Sequence, residues 1–314
     1  MTAQTGTGKY ELLLARCRAL EPIPTAVAHP CDASSLTGAL DAATQGLIAP
    51  ILVGPEAKIR EVAAANRIDL GLMRIVDAPH SHGSAAQAVE QVRTGQAELL
   101  MKGSLHTDEL LGAVVSREHG LRTGRRMSHV FIMDVPTYHK VLVVTDAAIN
   151  IAPSLEDKAD ILQNAIDLAI SLGVALPKVA ILAAVETVNS KMPATLDAAA
   201  LCKMADRGQI KGAIVDGPLA FDNAISAAAA TTKGITSAVA GDPDILLVPD
   251  LEAGNILAKQ LSFLANADSA GLALGARVPI ILTSRADSVR SRIASAAVGM
   301  LAAHARRHAA QATL

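Results

Sequence analysis

The sequence predicts an α/β protein in which strands and helices alternate along a parallel, doubly wound sheet. Short apolar segments rich in branched side chains alternate with amphipathic segments, and the connections between them are short. The composition agrees with this fold class, because 51% of the residues are hydrophobic but only 2% are aromatic. Small aliphatic side chains suit strands that are covered by helices on both faces.

The N-terminal part of the chain alternates most regularly. An opening helix is predicted over residues 9–19, and a cap at Ser34 or Ser35 begins the first helix that follows a strand. Gly54 and Pro55 end the second strand. The predicted strands span residues 25–28, 49–53, 74–76 and 98–101, and the predicted helices between them span 34–45, 56–67 and 84–95.

The alternation breaks near residue 130, where we predict a domain boundary. Two apolar segments, 130–135 and 139–145, flank Pro136 and Thr137, which predicts an antiparallel hairpin with a tight turn. A second alternating series follows. Its predicted strands span residues 179–184, 213–215, 245–248 and 278–282, and its predicted helices span 155–172, 195–207 and 223–231, with further helices ending near residue 264 and beginning near residue 289.

The segment after the last predicted strand is the first candidate site. Ser284, Arg285 and Asp287 place a hydroxyl, a guanidinium and a carboxylate between a strand and a helix. Ligands of open α/β sheets bind at such carboxyl ends, where the N–H groups of the helix attract anions. The alternative is a helix cap made by Asp287 or Ser288, with Arg285 simply solvated.

Two further segments have the polarity of an anion site. Lys102, Ser104, His106 and Thr107 follow the strand at 98–101, and the alternative for them is a capped helix start with His106 on the surface. A basic segment, 117–126, is either a loop that closes over phosphates or a solvated connection.

Composition and charge exclude several classes of protein. The net charge is −2 without a basic block, which argues against a nucleic-acid partner. The three dispersed cysteines favour a reducing compartment and have no metal-ligand spacing. A signal peptide, an apolar run of about 18 residues, a dinucleotide-binding glycine fingerprint and a Walker loop are all missing, so we expect a cytoplasmic protein that neither spans nor binds a membrane.

Four motifs in register then indicate a family. Asp146-Ala-Ala-Ile-Asn150, Asp216-Gly-Pro-Leu-Ala-Phe-Asp222, Pro249-Asp-Leu-Glu-Ala-Gly-Asn255 and Thr283-Ser-Arg285 occur in this order. Together they resemble the phosphate acetyltransferase and phosphate butyryltransferase family over residues 98–300.

The resemblance implies an architecture as well as an activity. It implies two three-layer αβα domains with a cleft between them, similar to isocitrate and isopropylmalate dehydrogenases. The C-terminal stretch would return to the first domain, so that residues 1–130 and 275–314 form one discontinuous domain and residues 131–274 the other. Members of the family are usually homodimers or larger homo-oligomers.

The implied reaction is reversible transfer of a short acyl group, acetyl being favoured over butyryl, between coenzyme A and inorganic phosphate. It requires a coenzyme A thiolate, a stabilised oxyanion and a neutralised leaving phosphate. It requires no metal and no tightly bound cofactor, since coenzyme A is a substrate, and the cysteines have no covalent role.

The resemblance also carries site residues onto this sequence. Arg285 would hold phosphate or the carbonyl oxygen, and Ser284 would donate to the oxyanion. The acetyl branch has its aspartate base where this chain has Ser291, so the base is either Asp287 or lies elsewhere. The remaining candidate substrate-binding residues are Lys102, Ser104, His106, Thr107, Arg126, Ser128, His129, Asn150, Ser190 and Lys191, the last two having a surface turn as their alternative.

Two classes compete with acyl transfer. A dehydrogenase-like oxidoreductase rests on fold analogy alone, which is weak support for an activity. An inactive homologue stays open because the arginine that acetyl-branch members carry soon after the segment 103–107 is absent here, and Leu110-Leu111-Gly112 occupies that region.

Overall fold

The computed structural model describes residues 8–283 and 287–311. The chain divides into two compact units. The terminal unit contains Gly8–Arg125 together with the chain from Ala270 onwards, and the central unit contains Arg126–Ser269. The sequence-based boundaries at residues 130 and 274 lie a few residues further along the chain and stay a prediction.

The chain enters the terminal unit through regularly alternating elements. They are α1 (Lys9–Cys17), β1 (Ile23–Ala28), α2 (Ala33–Thr44), β2 (Ile48–Gly54), α3 (Glu56–Ala65), β3 (Arg74–Asp77), α4 (Ser81–Arg93), β4 (Leu99–Lys102) and α5 (Thr107–Val114). Side chains that are almost completely inaccessible, such as Leu36, Leu52 and Leu99, form the core of this part. Their burial supplies most of the stabilisation.

The central unit follows with a hairpin and a second α/β series. Its elements are β5 (Ser128–Asp134), β6 (Leu142–Thr145), α6 (Leu155–Ser171), β7 (Lys178–Leu182), α7 (Pro193–Asp206), β8 (Ile214–Leu219), α8 (Phe221–Ile225), α9 (Ala227–Thr232), β9 (Ile245–Leu247) and α10 (Leu251–Leu264). Its strands lie in the order β5-β6-β9-β7-β8. Strand β6 is antiparallel to β5, and the other neighbouring pairs are parallel.

The chain then completes the terminal unit. Its last elements are β10 (Asp268–Leu274), β11 (Ile280–Ile281) and α11 (Val289–Gln311). The strand order in this unit is β3-β2-β1-β4-β11-β10. All neighbouring pairs are parallel except β10 and β11, which are antiparallel. The protein therefore has an α/β fold with mixed sheets, and the prediction of α/β architecture is confirmed.

The order of the strands creates a switch point between β1 and β4. The chain runs from β1 outward to β2 and β3, and then crosses back through α4 to β4 on the opposite side of β1. The connections that leave β1 and β4 therefore diverge at the carboxyl ends of these strands. Open α/β sheets bind ligands at such a point.

The connection within the predicted hairpin is longer than the sequence indicates. A turn does form at Pro136 and Thr137, where the N–H of Tyr138 donates to the carbonyl oxygen of Val135 at 3.0 Å. The prediction that this turn joins the two strands directly is wrong, because β5 ends at Asp134 and β6 begins at Leu142. The intervening segment is held away from the ladder by its own contacts. The hydroxyl of Tyr138 donates to the carbonyl oxygen of Pro243 at 2.7 Å, and Lys140 lies 2.8 Å from the carboxylate of Asp242.

Two other elements differ from the sequence-based prediction. The helix predicted over residues 223–231 is two short helices, because Ser226 is extended at φ −117° and accepts the N–H of Ala229 as the cap of α9. Strand β10 was not predicted, since Asp268, Ser269 and Gly271 are poor strand formers. Within the described ranges, no helix combines the length and apolar content needed to cross a membrane.

Candidate active site

A pocket lies at the switch point of the terminal unit. Its empty volume, including the space open to solvent, is about 330 Å³. We call it the switch-point pocket. The residues that line it are Asp32, Ser34, Ser35, Gly38, Met101, Lys102, Gly103, Thr283 and Arg292.

The sequence-predicted segment after β4 contributes Lys102 and Gly103 to this pocket. Gly103 is required by the packing of the chain itself. A Cβ atom at this position would lie 2.3 Å from the carbonyl oxygen of Ala28 and 2.6 Å from that of His29. Such contacts are impossible, so Gly103 permits the close approach of the β1 and β4 ends, and Lys102 is placed by that approach.

The other residues of this segment have different surroundings. The hydroxyl of Ser104 donates to the carbonyl oxygen of His29 at 2.8 Å and accepts the N–H of Cys31 at 3.2 Å, so it ties the two loops together. His106 and Thr107 are exposed at the start of α5. The carboxylate of Glu109 accepts the N–H of His106 at 2.8 Å, as in a capped helix start.

Arg292 is a pocket residue that sequence reasoning missed. Its Nη1 donates to the carbonyl oxygen of Asp287 at 2.8 Å and to the hydroxyl of Ser34 at 3.3 Å. Gly38 makes room for it, because a Cβ there would lie 3.0 Å from the Arg292 Cδ atom. A signal was available: Arg290 and Arg292 lie close to the N-terminal end of a helix, where the dipole disfavours cations.

The predicted catalytic pair cannot be placed, since Ser284 and Arg285 lie outside the described residues. Thr283, which precedes them, lines the switch-point pocket. On their other side, the hydroxyl of Ser288 accepts the N–H of Ser291 at 3.0 Å. Ser288 is therefore the residue that caps α11.

A second group of predicted site residues meets in the central unit. Asn150 is buried and its side-chain oxygen accepts the Nε–H of Arg126 at 2.8 Å. Its amide nitrogen donates to the Asp146 carboxylate at 2.6 Å and to the carbonyl oxygen of Met127 at 2.8 Å. Asn150 thus holds Arg126 in place, while the Arg126 side chain, paired with the Asp157 carboxylate at 3.6 Å, remains 54% exposed.

Asp146 is the anchor of this group. It is 3% exposed, and its two carboxylate oxygens accept the N–H groups of Ala148, Ile149 and Asn150 at 2.9 to 3.2 Å. These bonds stabilise its charge at a buried position and fix the loop that presents Asn150. The motif Asp146-Ala-Ala-Ile-Asn150 therefore has a direct structural explanation.

Ser128 and His129 lie inside the central unit and are inaccessible. The hydroxyl of Ser128 accepts the amide N–H of Asn164 at 3.0 Å. The ring of His129 packs edge-on against Phe131 at 4.4 Å between centroids. Burial lowers the pKa of His129 to about 4, although nearby Asp146 opposes the shift. The imidazole is therefore neutral at pH 7.

Among the described contacts, none joins Ser190 or Lys191 to the other candidate site residues. Both are exposed, and the N–H of Lys191 bonds to the side-chain oxygen of Asn189 at 2.9 Å. This is the geometry of a local surface turn. It corresponds to the alternative that their sequence context left open.

The cysteines are poor nucleophiles in their surroundings. Burial raises the pKa of Cys17 and Cys31 to about 11, and that of Cys202 to about 12. Thiolates are therefore scarce at neutral pH. Among the described residues, no group of three or more His, Cys, Asp or Glu side chains is arranged to hold a metal ion.

Comparison with known proteins identifies the family. A family model described as "Phosphate acetyl/butaryl transferase" matches residues 80–300. The chain belongs to this family of acyltransferases. Its members include a Rhizobium meliloti protein named phosphate acetyltransferase. The two sequences are 65% identical over 303 aligned residues, which cover 96% of this chain and 96% of the relative.

Two further phosphate acyltransferase relatives show the breadth of the family. A Clostridium acetobutylicum protein named phosphate butyryltransferase is 42% identical over 294 residues, covering 94% of this chain and 98% of its own. The crystal structure of a branched-chain phosphotransacylase from Enterococcus faecalis V583 superposes with a TM-score of 0.79 at 32% identity, covering 90% of this chain and 99% of the other. The chain therefore resembles members with different acyl groups.

Proposed function

We propose that this protein catalyses the reversible transfer of an acetyl group between coenzyme A and inorganic phosphate. The observation that carries the proposal is its 65% identity, over 96% of its length, to a relative named phosphate acetyltransferase. The butyryltransferase relatives are more distant, at 42% to 47% identity. Coenzyme A is a substrate in this proposal, and no tightly bound cofactor takes part.

The chemistry needs three groups beside the substrates. Arg285 neutralises the phosphate or the carbonyl oxygen, and Ser284 donates to the oxyanion that develops on the carbonyl. A base removes the thiol proton of coenzyme A, because the thiolate is the attacking species. Ser288 caps α11, which favours Asp287 as the base over Asp287 as the cap.

The candidate substrate-binding residues differ in the structural support that each one has. Lys102 is supported by its place in the switch-point pocket, beside Thr283. Arg126 is supported by its exposed guanidinium and by the hydrogen bond that fixes it to Asn150. Ser104, Ser128, His129 and Asn150 support the site by holding its loops, whereas a contact of His106, Thr107, Ser190 or Lys191 with substrate rests on the resemblance alone.

The wider organisation of the enzyme is part of the same proposal. The family resemblance favours two three-layer domains with the active site in a cleft, similar to isocitrate and isopropylmalate dehydrogenases, and a homodimer or larger homo-oligomer in the cytoplasm. Light scattering of the purified protein measures the oligomeric state. A monomer at micromolar concentration would remove that part of the proposal.

The assay that tests the activity separates it from hydride transfer. Acetyl-CoA with phosphate should release free thiol, and omission of phosphate should stop the release. Reduction of a nicotinamide cofactor without thiol release would instead indicate an oxidoreductase. Absence of both reactions in a folded protein would indicate an inactive homologue.

The acyl chain length is tested by comparing acetyl-, propionyl- and butyryl-CoA at a fixed phosphate concentration. We expect kcat/KM to be highest for acetyl-CoA and to overlap with that for propionyl-CoA, since one methylene group changes recognition by about 1–3 kcal/mol. A maximum at butyryl-CoA would make this protein a phosphate butyryltransferase with the same mechanism.

A further inference from the structure

We infer that Arg292 binds an anionic phosphate group of a substrate in the switch-point pocket. The inference rests on the proposed function, since it assigns a new residue to one of its substrates. Neither the family motifs nor the sequence-predicted site includes Arg292. Three observations support it: the charge balance of the guanidinium, the space made for it, and its neighbours in the pocket.

The guanidinium of Arg292 has no carboxylate partner among the described residues. Its Nη1 bonds to two neutral oxygens, the carbonyl of Asp287 and the hydroxyl of Ser34. Its Nε is buried and has no hydrogen-bond partner within the described ranges. A partly buried guanidinium without a carboxylate partner destabilises the folded protein. Its presence in this pocket therefore indicates that an anion binds to it.

The surrounding chain is built to admit this side chain. Gly38 lies on the first helix after β1, and a Cβ atom there would come within 3.0 Å of Arg292 Cδ and 3.3 Å of Arg292 Nε. Alanine at position 38 would require the Arg292 side chain to shift by a few tenths of an ångström. The long, flexible side chain is thereby packed into one position before any ligand arrives, which reduces the entropy cost of binding.

The neighbours of Arg292 in the pocket suit an anion. Lys102 adds a second cation, and Ser34 and Thr283 bring hydroxyl groups that can donate. The N-terminal end of α2, with its positive dipole, lies at the same wall. Asp32 is the only carboxylate among the described lining residues, and it accepts the N–H and hydroxyl of Ser35 as the helix cap.

Phosphate is the anion that the proposed reaction supplies. It occurs in inorganic phosphate, in the acyl phosphate and as the phosphate groups of coenzyme A, and all of these present the oxygens that an arginine fork binds. The kinetic arms of the experiment distinguish these sources. A higher KM for inorganic or acyl phosphate indicates the reacting group, whereas lost preference for coenzyme A over 3′-dephospho-coenzyme A indicates the nucleotide phosphate.

The experiment compares Arg292→Met, Arg292→Lys and a matched control, Arg290→Met. Arg290 lies on the same helix, but its guanidinium stacks on Tyr10 and pairs with Glu11. We expect Arg292→Met to raise one of the KM values by about ten- to a hundredfold with a smaller change in kcat, because charge-assisted hydrogen bonds are lost. Arg292→Lys should recover part of the loss, and Arg290→Met should behave like the wild type.

Phosphate binding without turnover gives an independent readout. Inorganic phosphate should raise the Tm of the wild type and of Arg290→Met, and should raise that of Arg292→Met less. Unchanged KM values and an unchanged Tm shift in folded Arg292→Met, or equal losses in the Arg290 control, would overturn the inference. If Arg292→Met does not fold, Arg292→Lys and Gly38→Ala provide the same comparison. Wild-type protein without turnover would instead refute the proposed function.

Discussion

The side-chain oxygen of Asn150 accepts the Nε–H of Arg126 at 2.8 Å, while the amide of Asn150 is held by Asp146 at 2.6 Å. This chain of contacts links a buried carboxylate to an exposed guanidinium. It shows how a buried motif residue can orient an exposed cation. Asn150 positions Arg126, whose side chain remains 54% exposed beside the Asp157 carboxylate.

Replacing Asn150 with alanine tests this linkage. We expect the KM for acetyl phosphate to rise about three- to tenfold, because Arg126 loses the bond that orients it. The free energy of unfolding should fall by about 1–3 kcal/mol, since Asp146 and the carbonyl of Met127 lose a buried donor. Kinetic titration and urea denaturation measure the two effects.

The control for this variant is Asn66→Ala, which removes an exposed amide that bonds only to the carbonyl of Val62 among the described residues. It should leave the KM unchanged. If Asn150→Ala lowers stability without any change in KM, then Asn150 has only a structural role and Arg126 does not depend on it.

The buried imidazole of His129 predicts an acid-sensitive fold. Its pKa is about 4 in the folded protein and 6.5 in an unperturbed histidine. Between these values the unfolded chain binds a proton that the folded chain does not. The contribution of His129 to stability is therefore fully present above pH 6.5 and is lost progressively as the pH falls from 6.5 towards 4.

The pH dependence of unfolding in the variant His129→Gln measures this contribution. Its free energy of unfolding should change less steeply between pH 6.5 and pH 4 than that of the wild type. His119→Gln, at a histidine whose side chain is 75% exposed, should keep the wild-type slope. Parallel slopes for His129→Gln and the wild type would show that His129 is not held neutral by burial.

Two glycines provide a matched test of the switch point. Gly103→Ala should lower the free energy of unfolding by at least about 2 kcal/mol, because its Cβ would lie 2.3 Å from the carbonyl oxygen of Ala28. Gly112→Ala on α5 meets nothing within 4 Å and should be neutral or stabilising by up to about 1 kcal/mol. Denaturation midpoints with unchanged m-values measure both. Equal stability of the two variants would contradict the close approach of β1 and β4.

The cysteines should be dispensable. At pH 8 a thiol with a pKa of about 11 is ionised to only about 0.1%, so Cys17, Cys31 and Cys202 should react slowly with a disulfide reagent in the native protein and rapidly after unfolding. A triple cysteine-to-alanine variant should keep its kcat within about twofold. A large loss of kcat in this variant, if it folds, would indicate covalent catalysis by the protein.

The fold could be predicted from local patterns wherever strands were apolar and helices amphipathic. Strand β10 was not predicted because Asp268, Ser269 and Gly271 are not typical of a strand. Its backbone is stabilised by pairing with β11 and by the hydrogen bond from the Gly271 N–H to the Ser295 hydroxyl. The break at Ser226 also depends on the tertiary structure, since a run of alanines on either side would allow one continuous helix.

The candidate site could be predicted only where polar residues follow strands directly. Lys102, which lines the switch-point pocket, was predicted in this way, because carboxyl ends of strands collect ligands, whereas Asn150 was proposed only from the family resemblance. Arg292 was not predicted, since its position in the pocket depends on the space left by Gly38, far away in sequence. The local sequence also could not distinguish residues that contact a ligand from residues that hold a loop, as Ser104 and Asn150 do.

The most direct test of the account is to follow both products of one reaction. Wild-type protein with acetyl-CoA and inorganic phosphate should form acetyl phosphate, observed by phosphorus NMR, in amounts equal to the free thiol released. Thiol release without acetyl phosphate would show hydrolysis instead of transfer to phosphate. That result, or no reaction at all in folded protein, would contradict the assignment of phosphate acyl transfer.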